Sequence, residues 1–211
     1  ETGNWEEEHT NVLKIDVDAD KMAQEAGFSA EEWSTYLAAG KQRLLDYRNK
    51  RVRPGLDNKQ LTSWNALMLK GFVDAFRVFD VSEYLDCALN NAAFIRQYLY
   101  ADDGGLLHQP ATNGKLLRGF LDDYAFCLEA YVALYEATFD ETWLYEAKRL
   151  LNYVLDHFYD RPTTSFYYTS TLAEQLIARK QEVMDNVIPS STSSIVRSLN
   201  RLGLIFDEQR Y

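Results

Sequence analysis

Hydrophobic and polar positions along this 211-residue chain fall mostly into helical periods. Ser29-Ala30-Glu31-Glu32 reads as a capping box, which predicts a helix from there to about Asn49. The turn-rich stretch Arg53-Pro54-Gly55-Leu56-Asp57-Asn58 follows. Thr62 or Ser63 is then expected to cap a helix through about Phe79, and another should run from about Ser82 to Tyr100. Asp103-Gly104-Gly105 and Asn113-Gly114 frame a short hairpin strand over Leu106 to Ala111. Helices are expected again from about Leu121 to Thr138 and from about Glu141 to Phe158. Ser165-Phe166-Tyr167-Tyr168-Thr169 is strand-like through its aromatics, and a last helix should begin near Ser190. Residues 1–28 read as an extended, linker-like segment, polar and acidic apart from Val12-Leu13.

The helices repeat. A shift of 59 residues places Ala66 on Ala125, Leu69 on Leu128, Val73 on Val132, Tyr84 on Trp143 and Ala88 on Ala147. A third copy is suggested by Phe139-Asp140-Glu141 recurring as Phe206-Asp207-Glu208, a shift of 67 that sets Ser190 over Asp123. Each unit is two helices and a loop with short strands. Between Ala125 and Tyr135 only Glu129 is charged, the mark of a helix buried on most sides. Its partner gathers Trp143, Leu144, Ala147, Leu150, Leu151, Val154, Leu155 and Phe158 on one face, so it is an outer helix. Alternating inner and outer helices predict an all-α fold. It should be a partial (α/α)6 toroid of helical hairpins, with short β-hairpins in the connecting loops; an open α-solenoid is the alternative. The barrel part spans residues 29–211, with units of about 62–118, 121–187 and a truncated 190–211.

In such a toroid the N-termini of the inner helices meet at one end. The loops entering them are Asp57 to Asn65, Arg118 to Tyr124, and Asp185 to Ser193. Carboxylates, amides and aromatic faces there suit a sugar-like ligand, because amides and carboxylates bind hydroxyls and rings cover the apolar faces of a pyranose. Asp123 is the leading acid/base candidate with Asp57 as its partner across the cleft. Trp64 and Tyr124 would stack on the ligand. Lys59, Asn65, Asp185, Asn186 and Ser190 would orient it. The structural alternatives are that Asp122, Asp123 and Ser190 cap helices and that Trp64 and Tyr124 are core aromatics.

Composition narrows the partners. The net charge of −10 disfavours nucleic acid and anionic membrane, and no apolar run is long enough to span a bilayer. The basic stretch Arg48-Asn49-Lys50-Arg51-Val52-Arg53 reads as a solvated helix end. His9, His108 and His157 lack metal-ligand spacing, and Asp16-Val17-Asp18-Ala19-Asp20 departs from a calcium loop at Lys21 and Gly27. No metal or other cofactor is expected. His108 lies in the hairpin before the second inner helix, from where it could reach the cleft. Cys87 and Cys127 sit on apolar faces as inert thiols. With reduced-looking cysteines and no signal-like start, a cytoplasmic location is expected, in a chain that reads as part of a longer one. The exposed edge of an incomplete barrel should drive self-association.

At these loops the sequence resembles a known family. Arg53-Pro54-Gly55-Leu56-Asp57-Asn58-Lys59-Gln60-Leu61-Thr62-Ser63-Trp64-Asn65 is similar to its "RP..DDK.LTSWNGLM" motif, and Gly119-Phe120-Leu121-Asp122-Asp123-Tyr124-Ala125 to its "GYLEDYA" motif. Leu134 to Asp140, Asp185 to Ser191, and Gly3-Asn4-Trp5-Glu6 also match. The family is the YyaL or spermatogenesis-associated type, a thioredoxin-like domain followed by a six-hairpin α/α barrel resembling those of N-acylglucosamine 2-epimerases and related glycosidases. The resemblance implies the barrel fold and a carbohydrate-binding or carbohydrate-processing role, with a scaffold serving the thioredoxin-like domain as the alternative. If enzymatic, the chain would hydrolyse, isomerise or epimerise a sugar through carboxylate acid/base chemistry. The thioredoxin-like part is absent, so no redox activity is implied. Ala66 and Thr192 depart from the family's usual Gly and Asn, and no pair of barrel histidines like that of the epimerases is present.

Overall fold

A computed structural model describes residues 11–12, 18–112, 114–174 and 177–211. The Gly3-Asn4-Trp5-Glu6 match, Leu13, Asp16, Val17, His9 and Asn113 lie outside the described residues. Two compact units divide between Asp57 and Asn58.

The first unit holds α1 (Ala19–Glu25) and α2 (Ala30–Asn49), which pack on each other. The capping box forms as expected: the Ser29 backbone N–H donates to Glu32 at 2.9 Å and Glu32 N–H donates to Ser29 Oγ at 3.3 Å. α1 corrects the expectation of an extended segment over 1–28. Asp18 starts it by accepting from Asp20 N–H at 2.8 Å, a local cap that outweighs the polar composition. Phe28, Trp33 and Tyr36 form a ring cluster with centroids 5.6–5.8 Å apart.

The second unit holds α3 (Thr62–Phe79), α4 (Ser82–Tyr98), α5 (Leu121–Thr138), α6 (Thr142–His157), the two-residue strands β1 (Tyr159–Asp160) and β2 (Ser165–Phe166), and α7 (Ser191–Phe206). β1 and β2 pair antiparallel, Tyr159 with Phe166 and Asp160 with Ser165. The stretch before α5 is no strand but a set of isolated bridges, Tyr100 to Leu106 and Leu107 to Arg118. α5 sits at the centre, packed on α3, α6 and α7, while α4 covers α3. Of the fourteen positions of α5 from Leu121 to Leu134, all but Asp122 are buried. α6 buries the predicted stripe Trp143, Leu144, Ala147, Leu150, Leu151 and Val154. Inner helices α3, α5 and α7 thus alternate with outer helices α4 and α6.

The repeat is visible in the backbone. α3 and α5 share their length and lie 59 residues apart at both ends. Each inner helix closes on a residue in the left-handed region, Asp80 (φ 54°), Phe139 (φ 55°) and Asp207 (φ 49°), and after α3 and α5 the outer helix turns back at once. Because Phe139 corresponds to Asp207, the 67-residue alignment is one position out at this end. At the other end Ser190 occupies the cap position of Leu61 and Phe120, not the position of Asp123. An α7 two residues shorter than α5 accounts for the slip.

Candidate functional site

Four free N–H groups open every helix and need acceptors. In the second unit some come from the loop that ends the same repeat and one from the next repeat. Thr62 N–H donates to His108 O at 2.9 Å, and one unit on, Leu121 N–H donates to Tyr168 O at 2.9 Å. Thr62 was expected to cap α3, but its hydroxyl instead donates to Leu107 O at 2.5 Å. Ser63 does not cap α3 either; its N–H donates to Asp123 Oδ1 at 2.8 Å, across 60 residues. Loop and helix starts are thereby stitched into one end of the helix array.

Asp123 is the knot of that end. Its side chain is 0% exposed, and Oδ2 accepts from Phe120 N–H at 2.8 Å and from His108 Nδ1–H at 2.9 Å. Burial pushes its carboxyl upward, while the His108 and backbone donors pull the other way. The same bond holds the His108 imidazole above its ordinary value. His108 keeps 18% of its side chain exposed, and Nε2 is the ring nitrogen that Asp123 does not engage. Asp122 is half-buried beside it. Burial, with the Asp123 charge adding to it, pushes the Asp122 carboxyl up to about 6. It accepts from Asp123 N–H at 3.0 Å and from the Tyr168 hydroxyl. Aromatic faces flank the pair: the His108 ring lies 4.9 Å from Phe120, and Phe120 stacks on Tyr168 at 5.2 Å and 11°.

The other expected residues separate into three groups. Tyr124 is buried in the core. Its hydroxyl accepts from Leu106 N–H at 2.7 Å and its ring stacks on Tyr153 at 5.3 Å, so it has no face free for a ligand. Gly105 passes so close to the Tyr124 and Tyr153 hydroxyls that a Cβ would collide with them. Ser190 and Asp185 serve the start of α7: Ser190 Oγ accepts from Ser193 N–H at 3.2 Å, and Asp185 accepts from Ser190 N–H at 2.8 Å, which lowers its pKa. Asn65 turns back to Leu61 O at 2.8 Å. Trp64 is 68% exposed and lines an apolar depression of about 530 Å³ with Leu67, Met68, Gly71, Val187 and Ile188, where the first and third loops meet. Lys59 and Asn186 are exposed. Asp57 is the last residue of the first unit, whereas the cluster around Asp123 is built from the second unit alone. Sequence reasoning passed over Tyr168 and Phe120 as site residues. Their signal was the aromatic run after β1 and the residue before α5.

No family model matches the chain. The described fold is that of part of a six-hairpin α/α toroid. It superposes on cellobiose 2-epimerase from Bacillus thermoamylovorans with a TM-score of 0.57 and 17% identity, over 73% of this chain and 42% of that one. A family 105 glycoside hydrolase from C. acetobutylicum aligns over 90% of this chain and 55% of its own, at 12% identity and TM-score 0.57. The GH76 α-mannanase BT2949 of Bacteroides thetaiotaomicron gives 0.54 at 16% identity, over 76% and 39%.

In sequence, the chain is homologous to spermatogenesis-associated protein 20 over most of its length. Identity is 30% with the mouse protein over 210 residues and 29% with the human protein over 202. These matches take in 94% and 91% of the chain but 26% of either relative, so the chain spans about a quarter of the proteins it matches. No helix among the described residues is long and apolar enough to cross a membrane.

Proposed function

We propose that this chain forms the polar end of a carbohydrate-binding or carbohydrate-processing barrel, with His108 as its acid/base group. One observation carries the reading: a buried carboxylate, Asp123, grips Nδ1 of a partly exposed histidine and leaves Nε2 for a ligand. In this reading Asp123 is a positioning residue. It fixes the ring's tautomer and orientation, as a carboxylate behind a general base does. Asp122, titrating near 6, is the second proton-exchanging group. Phe120, Tyr168 and the exposed Trp64 supply flat apolar faces for pyranose rings. The resemblance to structures named for sugar epimerisation and glycoside hydrolysis supports the ligand class.

A thermal-shift screen against sugars and sugar phosphates tests the reading, with His108→Gln beside the unmodified chain. A sugar that stabilises the chain but not the variant supports it. A panel that stabilises neither chain, or both equally, removes His108 from the site. A scaffold role is the second reading, favoured by the self-satisfied bonding of Asp123 and Tyr124 and by the exposed apolar depression at Trp64.

A further inference from the structure

Backbone N–H groups at the starts of the inner helices are taken by the chain's own acids. Ser63 and Phe120 donate to Asp123, Asp123 to Asp122, Ser190 to Asp185 and Ser191 to Glu182, at 2.8–3.2 Å. Helix starts are the ready anion-binding positions of a helical fold. Here they are filled from within, so an incoming phosphate or carboxylate would have to displace a tethered competitor. Two arginines of the flanking loops are engaged elsewhere: Arg118 with Asp103 at 2.6 Å, and Arg179 with the carbonyls of His157 and Thr169. The same filling gathers carboxylates at one end. Asp122 and Asp123 stand at the start of α5, and Glu182 and Asp185 lie exposed before α7. Tyr168 joins the two groups: its hydroxyl bonds to Asp122, and Glu182 is near enough for its charge to act on the same phenol. Glu182 takes both the N–H and the hydroxyl of Ser191 on Oε2, so Oε1 is the oxygen that Ser191 does not engage. Ring faces lie beside these acids, Phe120 on Tyr168 and His108 against Phe120. Carboxylates next to aromatic faces are a setting that holds an ammonium group.

We propose, resting on the reading of His108 as the acid/base group, that the ligand at this end is an amino sugar held in its ammonium form, with Glu182 the residue that selects it. The ammonium group displaces none of the helix-start bonds. It meets Glu182 Oε1 and the Asp122 carboxyl, while the rings of Tyr168 and Phe120 cover the apolar side of the sugar. A neutral hexose fits the same place without the charge attraction and binds more weakly. Phosphorylated and carboxylated sugars are refused, because the gathered carboxylates repel them and the helix starts that would receive them are already filled.

Isothermal titration calorimetry on the 211-residue chain at neutral pH and low salt tests it. Glucosamine, mannosamine and galactosamine are each compared with the parent hexose and with its phosphate ester, and ethanolamine serves as the ammonium without a sugar. At least one amino sugar should bind about fivefold or more tightly than its parent, and no phosphate ester should bind as tightly as the parent. High salt should shrink the preference in the unmodified chain, where no variant has to fold. Glu182→Gln, whose amide oxygen can still accept from Ser191, should remove most of the preference, leave the parent hexose within about twofold and keep the helical circular dichroism unchanged. A phosphate ester that binds best, a parent hexose that matches its amine, or an equal weakening of both in Glu182→Gln overturns the proposal and leaves the sugar reading of His108 standing. Ethanolamine binding as tightly as the amino sugar also overturns it, and reduces this end to a general cation patch. Binding of no sugar of any charge overturns the proposal and the His108 reading together.

Discussion

α5 is tied to α3 at both ends by its own carboxylates, and the two ties differ in kind. At the N-terminal end Asp123 is wholly buried and takes three donors, two of them backbone N–H groups of the α3 and α5 starts. At the C-terminal end Glu136 is 33% exposed and pairs with Arg77 of α3 at 3.3 Å and with Arg201 of α7. Exposed ion pairs cost little to form and contribute little. A buried carboxylate is costly unless every lone pair is used, and removing it strands its donors. The contrast teaches where to look for chemistry. The end that sets a titratable histidine on a buried acid has properties that mere fastening does not need, and the Glu136 end shows how fastening alone is done.

Three substitutions sharpen the contrast, in descending size. Asp123→Ala should destabilise the second unit by about 3–5 kcal/mol in urea denaturation, since two buried N–H groups and His108 lose their acceptor. A loss below about 1 kcal/mol would reduce this tie to the rank of the other. Asp122→Asn should act in the opposite sense. The folded state holds the Asp122 proton up to about pH 6, against an ordinary value of 3.8. Its contribution is therefore complete below 3.8 and lost as pH rises through 6, so the ionised carboxyl weakens the native state at neutral pH. The amide should stabilise the protein by about 1–2 kcal/mol at pH 8, with the gain vanishing near pH 4, while weakening sugar affinity. Unfolding curves at the two pH values check the sign; destabilisation at pH 8 would contradict it. Smallest is Glu136→Gln, expected to change stability by less than about 1 kcal/mol, with its effect further reduced in 1 M salt.

Much of this was legible in the chain because local rules set it. The capping box at Ser29, the bounds of α3 and α5, and the buried character of α5 follow from periodicity and spacing alone. The links between repeats were not. Thr62 and Ser63 look like caps in their own segment, yet Ser63 N–H is satisfied by Asp123 from 60 residues away, and no local pattern encodes that. Tyr124 is aromatic and loop-proximal in sequence, but only packing decides that its hydroxyl serves Leu106. His108 was recognisable as a residue near the site. That a buried acid holds it depends on the Leu107 to Arg118 bridge, which brings the stretch before α5 onto the α3 start.

The central claim is that His108, held by Asp123, faces a sugar. Its most direct test is to follow the His108 imidazole by NMR, at pH values on both sides of its midpoint, while mono- and disaccharides are titrated in. The expected result is a midpoint above the ordinary 6.5 that falls in Asp123→Asn, together with a saturable shift of the His108 signals that His157 does not share. A His108 signal unmoved by every sugar, or moving only in step with His157, would contradict the account.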